Sequence, residues 1–144
     1  MNVFSTTPSR SQLSTGLLVL RLALGAVFIV HGGQKLFVFG PSATAGMLTQ
    51  MNIPAAGLIG PALAIVEPLA GAAVVLGLFT RVAGLAIAID MAGAIATFHI
   101  SRGFFVPAGI EFVMMNCAAG IALAMAGAGD YSVDHAIATR RASS

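Results

Sequence analysis

The sequence predicts an all-α, polytopic membrane protein: a single membrane domain of four transmembrane helices in an up-down bundle. Three observations carry this. Apolar residues make up 58% of the chain and charged residues only 8%, where a soluble domain needs roughly 25% charged residues to cover its surface. Mean hydropathy is +0.95. Four apolar runs approach the about 20 residues that cross hydrocarbon as a helix, and turn-forming residues separate them.

Span 1 is expected at about 16–39. It follows a polar N-terminus whose only charge is Arg10, and no small-x-small cleavage site succeeds it. It therefore reads as a retained span rather than a removed signal peptide. Next comes a short helix at about 42–51, with Ser42 as a cap and Met47, Leu48 and Met51 on one side. That pattern suits a helix lying in the membrane interface, the alternative being an ordered loop. Span 2 is expected at about 54–79, where Pro54 suits a first helical turn. Span 3, at about 81–100, follows a very short hairpin in which Thr80 can act as a cap. Span 4 is expected at about 107–128 and ends at Gly127 and Gly129, before a polar tail at 129–144.

Short connections make the four spans antiparallel neighbours. Spans 1, 2 and 3 each have a face of small residues on which helices can pack closely. On span 1 the stripe is Arg21, Gly25, Phe28, Gly32 and Lys35. On span 2 it is Ala64, Glu67, Ala70, Gly71 and Val74, and on span 3 Ala86, Asp90, Gly93, Ala94 and Thr97. Arg10, Arg81, Arg140 and Arg141 fall on one side of the membrane, against Lys35 and Arg102 on the other. The positive-inside rule then places both termini in the cytoplasm.

Several functions are excluded. The net charge of +2 comes without a basic cluster, so nucleic acid is not an expected partner. A single cysteine, Cys117, allows neither an internal disulfide nor a CxxC pair. There is no P-loop, dinucleotide fingerprint, nucleophile elbow or zinc motif. Met114 and Met115 read as core filling, and no metal site is expected.

The buried charges are the informative residues. Arg21, Glu67 and Asp90 lie inside apolar runs, where a charge costs at least about 2.5–3.5 kcal/mol. Structurally, Arg21 would pair with Asp90 or Glu67 and lock the bundle. Functionally, the carboxylates would form a polar centre for a proton, a quinone or another ligand, since one arginine cannot neutralise both. Helical rise sets His31 about 15 Å along the axis from Arg21, and Lys35 one turn further on the same face. Span 3 ends near His99, and span 4 begins near Glu111. His31, Lys35, His99, Arg102 and Glu111 therefore gather at one end of the bundle, with Glu67 below them. Membrane histidines bind b-type haem, exchange protons or hydrogen-bond a quinone carbonyl. His31 and His99 could together ligate a haem b, although His31 lies about two helical turns deeper.

The segment LRLALGAVFIVHGGQKLF, followed by TAGMLTQMNIP, IVEPLAGAAVVLGLFTRVAGLAIAIDMAGAI and GAGDYSVD, resembles the DoxX family of small bacterial membrane proteins. The resemblance runs from about residue 17 to 134. Positions matching its pattern are Arg21, Gly25, Gly32, Lys35, Pro54, Glu67, Gly77, Arg81, His99, Glu111, Ser132 and Asp134. It implies a four-helix fold in the bacterial cytoplasmic membrane and an association with membrane redox systems, including thiosulfate:quinone oxidoreductase and complexes handling oxidative stress and thiols.

The expected function is thus the membrane subunit of a quinone-linked redox complex. Glu67, His31, His99 and Glu111 would exchange protons, and Lys35, Arg102, Asp90 and Arg21 would hold the ligand. A quinone is the expected cofactor, with haem b as the weaker reading. Protein partners in a redox complex and self-association would accompany the lipid bilayer. The alternative is a non-catalytic anchor that recruits soluble redox partners. A small transporter is the third reading, and would have to oligomerise to form a pathway.

Overall fold

A computed structural model of the chain describes residues 7–143. Within them the fold is all-helical: α1 (Arg10–Gly33), α2 (Pro41–Gln50), α3 (Ala56–Leu76), α4 (Thr80–Ala94), α5 (Glu111–Ala126) and α6 (Val133–Ala142). A π-helical turn extends α1 over Gln34–Val38, and another extends α4 over Ile95–His99. With these extensions α1, α3 and α4 are long and apolar enough to cross a membrane. The fourth helix, α5, has 16 residues, because residues 107–110 form turns and the helix begins only at Glu111.

Local chemistry sets the boundaries. Ser9 caps α1 by accepting from the Gln12 N–H, and the Gln12 side chain reciprocates. Pro41 opens α2 behind Gly40, so the cap is not Ser42; proline has no N–H to lose in a first turn. Gly77 closes α3 with φ +67°, a conformation glycine reaches without a steric penalty. The hairpin after it is held from a distance. Asp134 accepts from the N–H groups of Phe79 at 2.8 Å and Thr80 at 2.9 Å. The carboxylate thus satisfies the first turn of α4, the task expected of the Thr80 side chain. Asp134 is available because the polar tail is not irregular: Ser132 accepts from the His135 N–H and starts α6.

The helices pack as two antiparallel pairs. In the first, a Cβ on Gly25 would lie 2.7 Å from the Gly71 carbonyl oxygen, and Gly32 lies flush against the Pro68 ring. In the second, a Cβ on Gly84 would come within 2.8 Å of the Gly120 carbonyl oxygen, and the reverse holds at the same distance. Side chains at these positions would force the backbones apart, so the glycines set the helix spacing. Leu24, Phe28, Val74, Ile87 and Leu123 fill the core between the pairs.

The small-residue faces of α1 and α3 are buried as expected. The face of α4 is not the expected one. Thr80, Ala83, Gly84, Ile87 and Ala88 are buried, while Gly93 and Thr97 are exposed. The close approach to α5 through Gly84 fixes the rotation of α4, and its Asp90 side turns to a cavity instead of a helix.

Candidate functional site

At the end of the bundle where α1 and α4 finish, the helices separate around a cavity of about 540 Å³. Its floor comes from α3 and α5 through Leu63, Glu67, Val113 and Asn116. Met47 and Leu48 of α2, with Met51 just past its end, form one wall, so the apolar side of that helix serves the cavity. Thr44 joins them and is buried. The turn at Pro107 adds the remaining edge.

Five of the expected site residues line this single space: His31, Lys35, Glu67, Asp90 and His99. Lys35 stands on the π-helical turn after α1 and His99 on the one after α4. Such turns insert an extra residue per turn and re-aim the side chains they carry. Lys35 donates to Glu67 Oε1 across α1 and α3. The Glu67 side chain is 4% exposed and that of Lys35 29%, so the ion pair is mostly withdrawn from its surroundings. Asp90 interacts electrostatically with both Glu67 and Lys35. His99 Nδ1 lies 2.7 Å from the Ala108 carbonyl oxygen. A carbonyl only accepts, so Nδ1 carries the proton, and Nε2 of the neutral ring is an acceptor. The His31 ring packs at 6.0 Å from the Phe112 ring.

The other three expected residues do not line the cavity. Arg21 is buried midway along α1, level with the C-terminal end of α3, and pairs with neither Glu67 nor Asp90. Its Nε and Nη2 donate to the Val74 and Val75 carbonyls at 3.0 and 3.1 Å, and Nη1 donates to that of Ala128. The guanidinium fork therefore satisfies the Val75 carbonyl that the end of α3 leaves free, adds a donor to that of Val74, which also accepts from the Gly77 N–H, and reaches Ala128 beyond α5; its place in the ion pair is taken by Lys35. Glu111 accepts from the Val106 N–H at 2.6 Å and tightens the turn before α5. Arg102 lies 3.8 Å over the Phe98 ring, outside the cavity wall.

Asn116 was not anticipated from the sequence. It is buried, lines the cavity, and its Nδ2 has no hydrogen-bond partner among the described residues. The signal was available: a lone amide in the apolar run of α5 has to be satisfied by something inside the bundle.

A family model described as DoxX matches residues 16–100. An uncharacterized membrane protein of Mycobacterium tuberculosis is 41% identical over 76 residues, which cover 53% of this chain and 46% of the relative. The match thus spans about half the length of that protein. A Bacillus subtilis protein named "Putative oxidoreductase CatD" is 29% identical over 108 residues, covering 75% of this chain and 78% of the relative. No solved structure matches.

Proposed function

The chain belongs to the DoxX family of membrane proteins, and on that footing we propose that its cavity binds a quinone headgroup within a membrane redox complex. The observation that carries the reading is the joint placement of Lys35, Glu67, Asp90, His31 and His99 around one cavity. Ligand sites are typically concave, mostly apolar, about 300–1,000 Å³ in volume, and furnished with a few polar groups. Here Phe28, Leu63, Ile89 and Met91 offer apolar wall for a ring and its tail.

The polar groups have separable tasks. Lys35 has three N–H donors and gives one to Glu67; the others would hold a ligand oxygen. His99, fixed through Nδ1, presents Nε2 as a proton acceptor. Glu67, Asp90 and His31 are further proton carriers within the same space. Electrons would be exchanged with a partner protein. The oxidoreductase in the name of the Bacillus subtilis relative supports a redox-associated role at this general level. The expected setting is the bacterial cytoplasmic membrane with both termini inside.

A second reading is a non-catalytic anchor that recruits redox partners. The observation favouring it is that Arg21 and Glu111 both spend their hydrogen bonds on the backbone and hold the fold. Purification in mild detergent, with an absorption spectrum and extraction of bound quinones, separates the two. Co-purified quinone that is lost in Glu67→Gln is the expected result. A chain that neither carries quinone nor binds a short-tail quinone added in millimolar excess would leave the anchor. A Soret band would instead assign His31 and His99 to haem b.

A further inference from the structure

Two buried atoms of the cavity have no partner within the described fold. Asp90 Oδ2 on α4 and Asn116 Nδ2 on α5 have no hydrogen-bond partner among the described residues, and both residues line the cavity. Asn116 is only 9% exposed. Unpaired buried polar atoms are costly and uncommon, and each one asks what completes it.

The register of the two helices sets these residues at nearly the same level. Arg81 Nη1 donates to the Ala124 and Met125 carbonyls, Gly84 abuts Gly120, and Cys117 Sγ lies 3.5 Å from the Ala88 carbonyl oxygen. Asp90 is two residues beyond Ala88, and Asn116 is one residue before Cys117. The antiparallel pairing therefore sets Asp90 and Asn116 at nearly the same level along the bundle axis, and both line the cavity. Lys35 is engaged with Glu67, and no ion pair is formed by Asp90 among the described residues.

Their chemistry is complementary. An ionised carboxylate only accepts hydrogen bonds and the amide nitrogen only donates them. One functional group satisfies both: a hydroxyl, whose O–H donates to Asp90 Oδ2 while its oxygen accepts from Asn116 Nδ2. A carbonyl oxygen would satisfy Asn116 and leave the carboxylate facing another acceptor. We infer that the α4/α5 wall is a hydroxyl-binding subsite, which makes the cavity selective for the reduced, phenolic form of a ring ligand over its quinone form. The identity of the ring rests on the proposed function; the hydroxyl preference rests on Asp90, which also interacts with Glu67 and Lys35, and on Asn116.

The test is calorimetric titration of the full chain in detergent at pH 8. The probes are a short-tail hydroquinone kept reduced without oxygen, the matching quinone, the hydroquinone dimethyl ether and a 4-alkylphenol. Hydroquinone should bind about tenfold or more tightly than quinone, the scale of one hydrogen bond to a charged group. The dimethyl ether should do no better than quinone. Asp90→Asn should abolish the preference, and Asn116→Leu should weaken hydroquinone and alkylphenol by about tenfold. If Asp90→Asn fails to fold, Asn116→Leu alone decides. Equal affinity for quinone and hydroquinone in the unaltered chain, or a preference that survives Asp90→Asn, overturns the subsite and leaves quinone binding standing. Alkylphenol binding that depends on Asp90 and Asn116, with no affinity for the hydroquinone or the quinone, supports the subsite and overturns the quinone reading. Failure of every probe to bind overturns both.

Discussion

Lys35 and Glu67 close the gap between α1 and α3 with an ion pair whose carboxylate is almost wholly buried. The lysine reaches it from a π-helical turn at the end of α1. The pair thus joins two elements beside the cavity and fixes the one strong cation there.

Removing one partner of such a pair leaves a buried charge uncompensated, which costs roughly 3 kcal/mol or more. Lys35→Met should therefore lower the thermal midpoint in detergent clearly. Lys35→Met/Glu67→Gln should regain most of the loss, because the stranded charge is gone. Additive losses in the double variant would show that the two side chains act independently.

Arg21→Met should destabilise the chain by roughly 3 kcal/mol, since the Val75 and Ala128 carbonyls would each lose a charged donor at about 1–3 kcal/mol per unpaired group, and that of Val74 would keep only the Gly77 N–H. Arg21→Lys should recover little, because an ammonium cannot reproduce the planar fork. Quinone affinity, measured below the melting temperature, should stay unchanged. A fall in affinity at constant stability would return Arg21 to the site.

Asp134→Ala removes the acceptor for the Phe79 and Thr80 N–H groups. Loss of a helix cap costs typically about 1 kcal/mol. Hydrogen exchange should speed up at the start of α4, while amides near the cavity stay protected. Uniform acceleration would mean that the tail stabilises more than this hairpin.

A last expectation concerns acid. Arg10 Nε and Nη2 donate to the Asp130 carboxylate at 2.7–3.1 Å, which holds its pKa below the usual carboxylate range. His135 Nδ1, at 3.8 Å, faces the same group. A carboxylate with a lowered folded pKa stabilises fully above its unfolded value of about 3.9. That contribution is lost as pH falls through the folded value. Carboxyl NMR should show Asp130 titrating higher in Arg10→Gln, and the acid-side loss of stability should shrink. An unchanged titration would mean that Arg10 does not hold the carboxylate in solution.

Much of the site was legible because hydrocarbon makes charge conspicuous. Arg21 and Glu67 fell on the small-residue stripes of spans 1 and 2, and those stripes are buried. Helical rise and alternating span direction brought His31, Lys35 and His99 to one end, where they share a cavity. Pairing was not legible. Periodicity places a residue on a face but does not say whether a guanidinium meets a carboxylate or a frayed helix end, and Arg21 took the latter. The face of α4 was misjudged because Asp90 was taken to mark the packed side, whereas Gly84 marks it. The π-helical turns escaped notice since they are set by tertiary packing at the helix ends. The tail was read only as polar, although Ser132 is a sound start for α6.

The glycine contacts have a mechanical consequence. They weld α1 to α3 and α4 to α5 at near backbone-to-backbone distance, while α3 and α4 touch each other far less extensively. The molecule is two stiff planks with a softer joint, and the chamber runs along that joint. Parting the planks slightly would rupture no hydrogen bond within a helix, and the Arg21 contact with the Ala128 carbonyl is one of the ties it would strain.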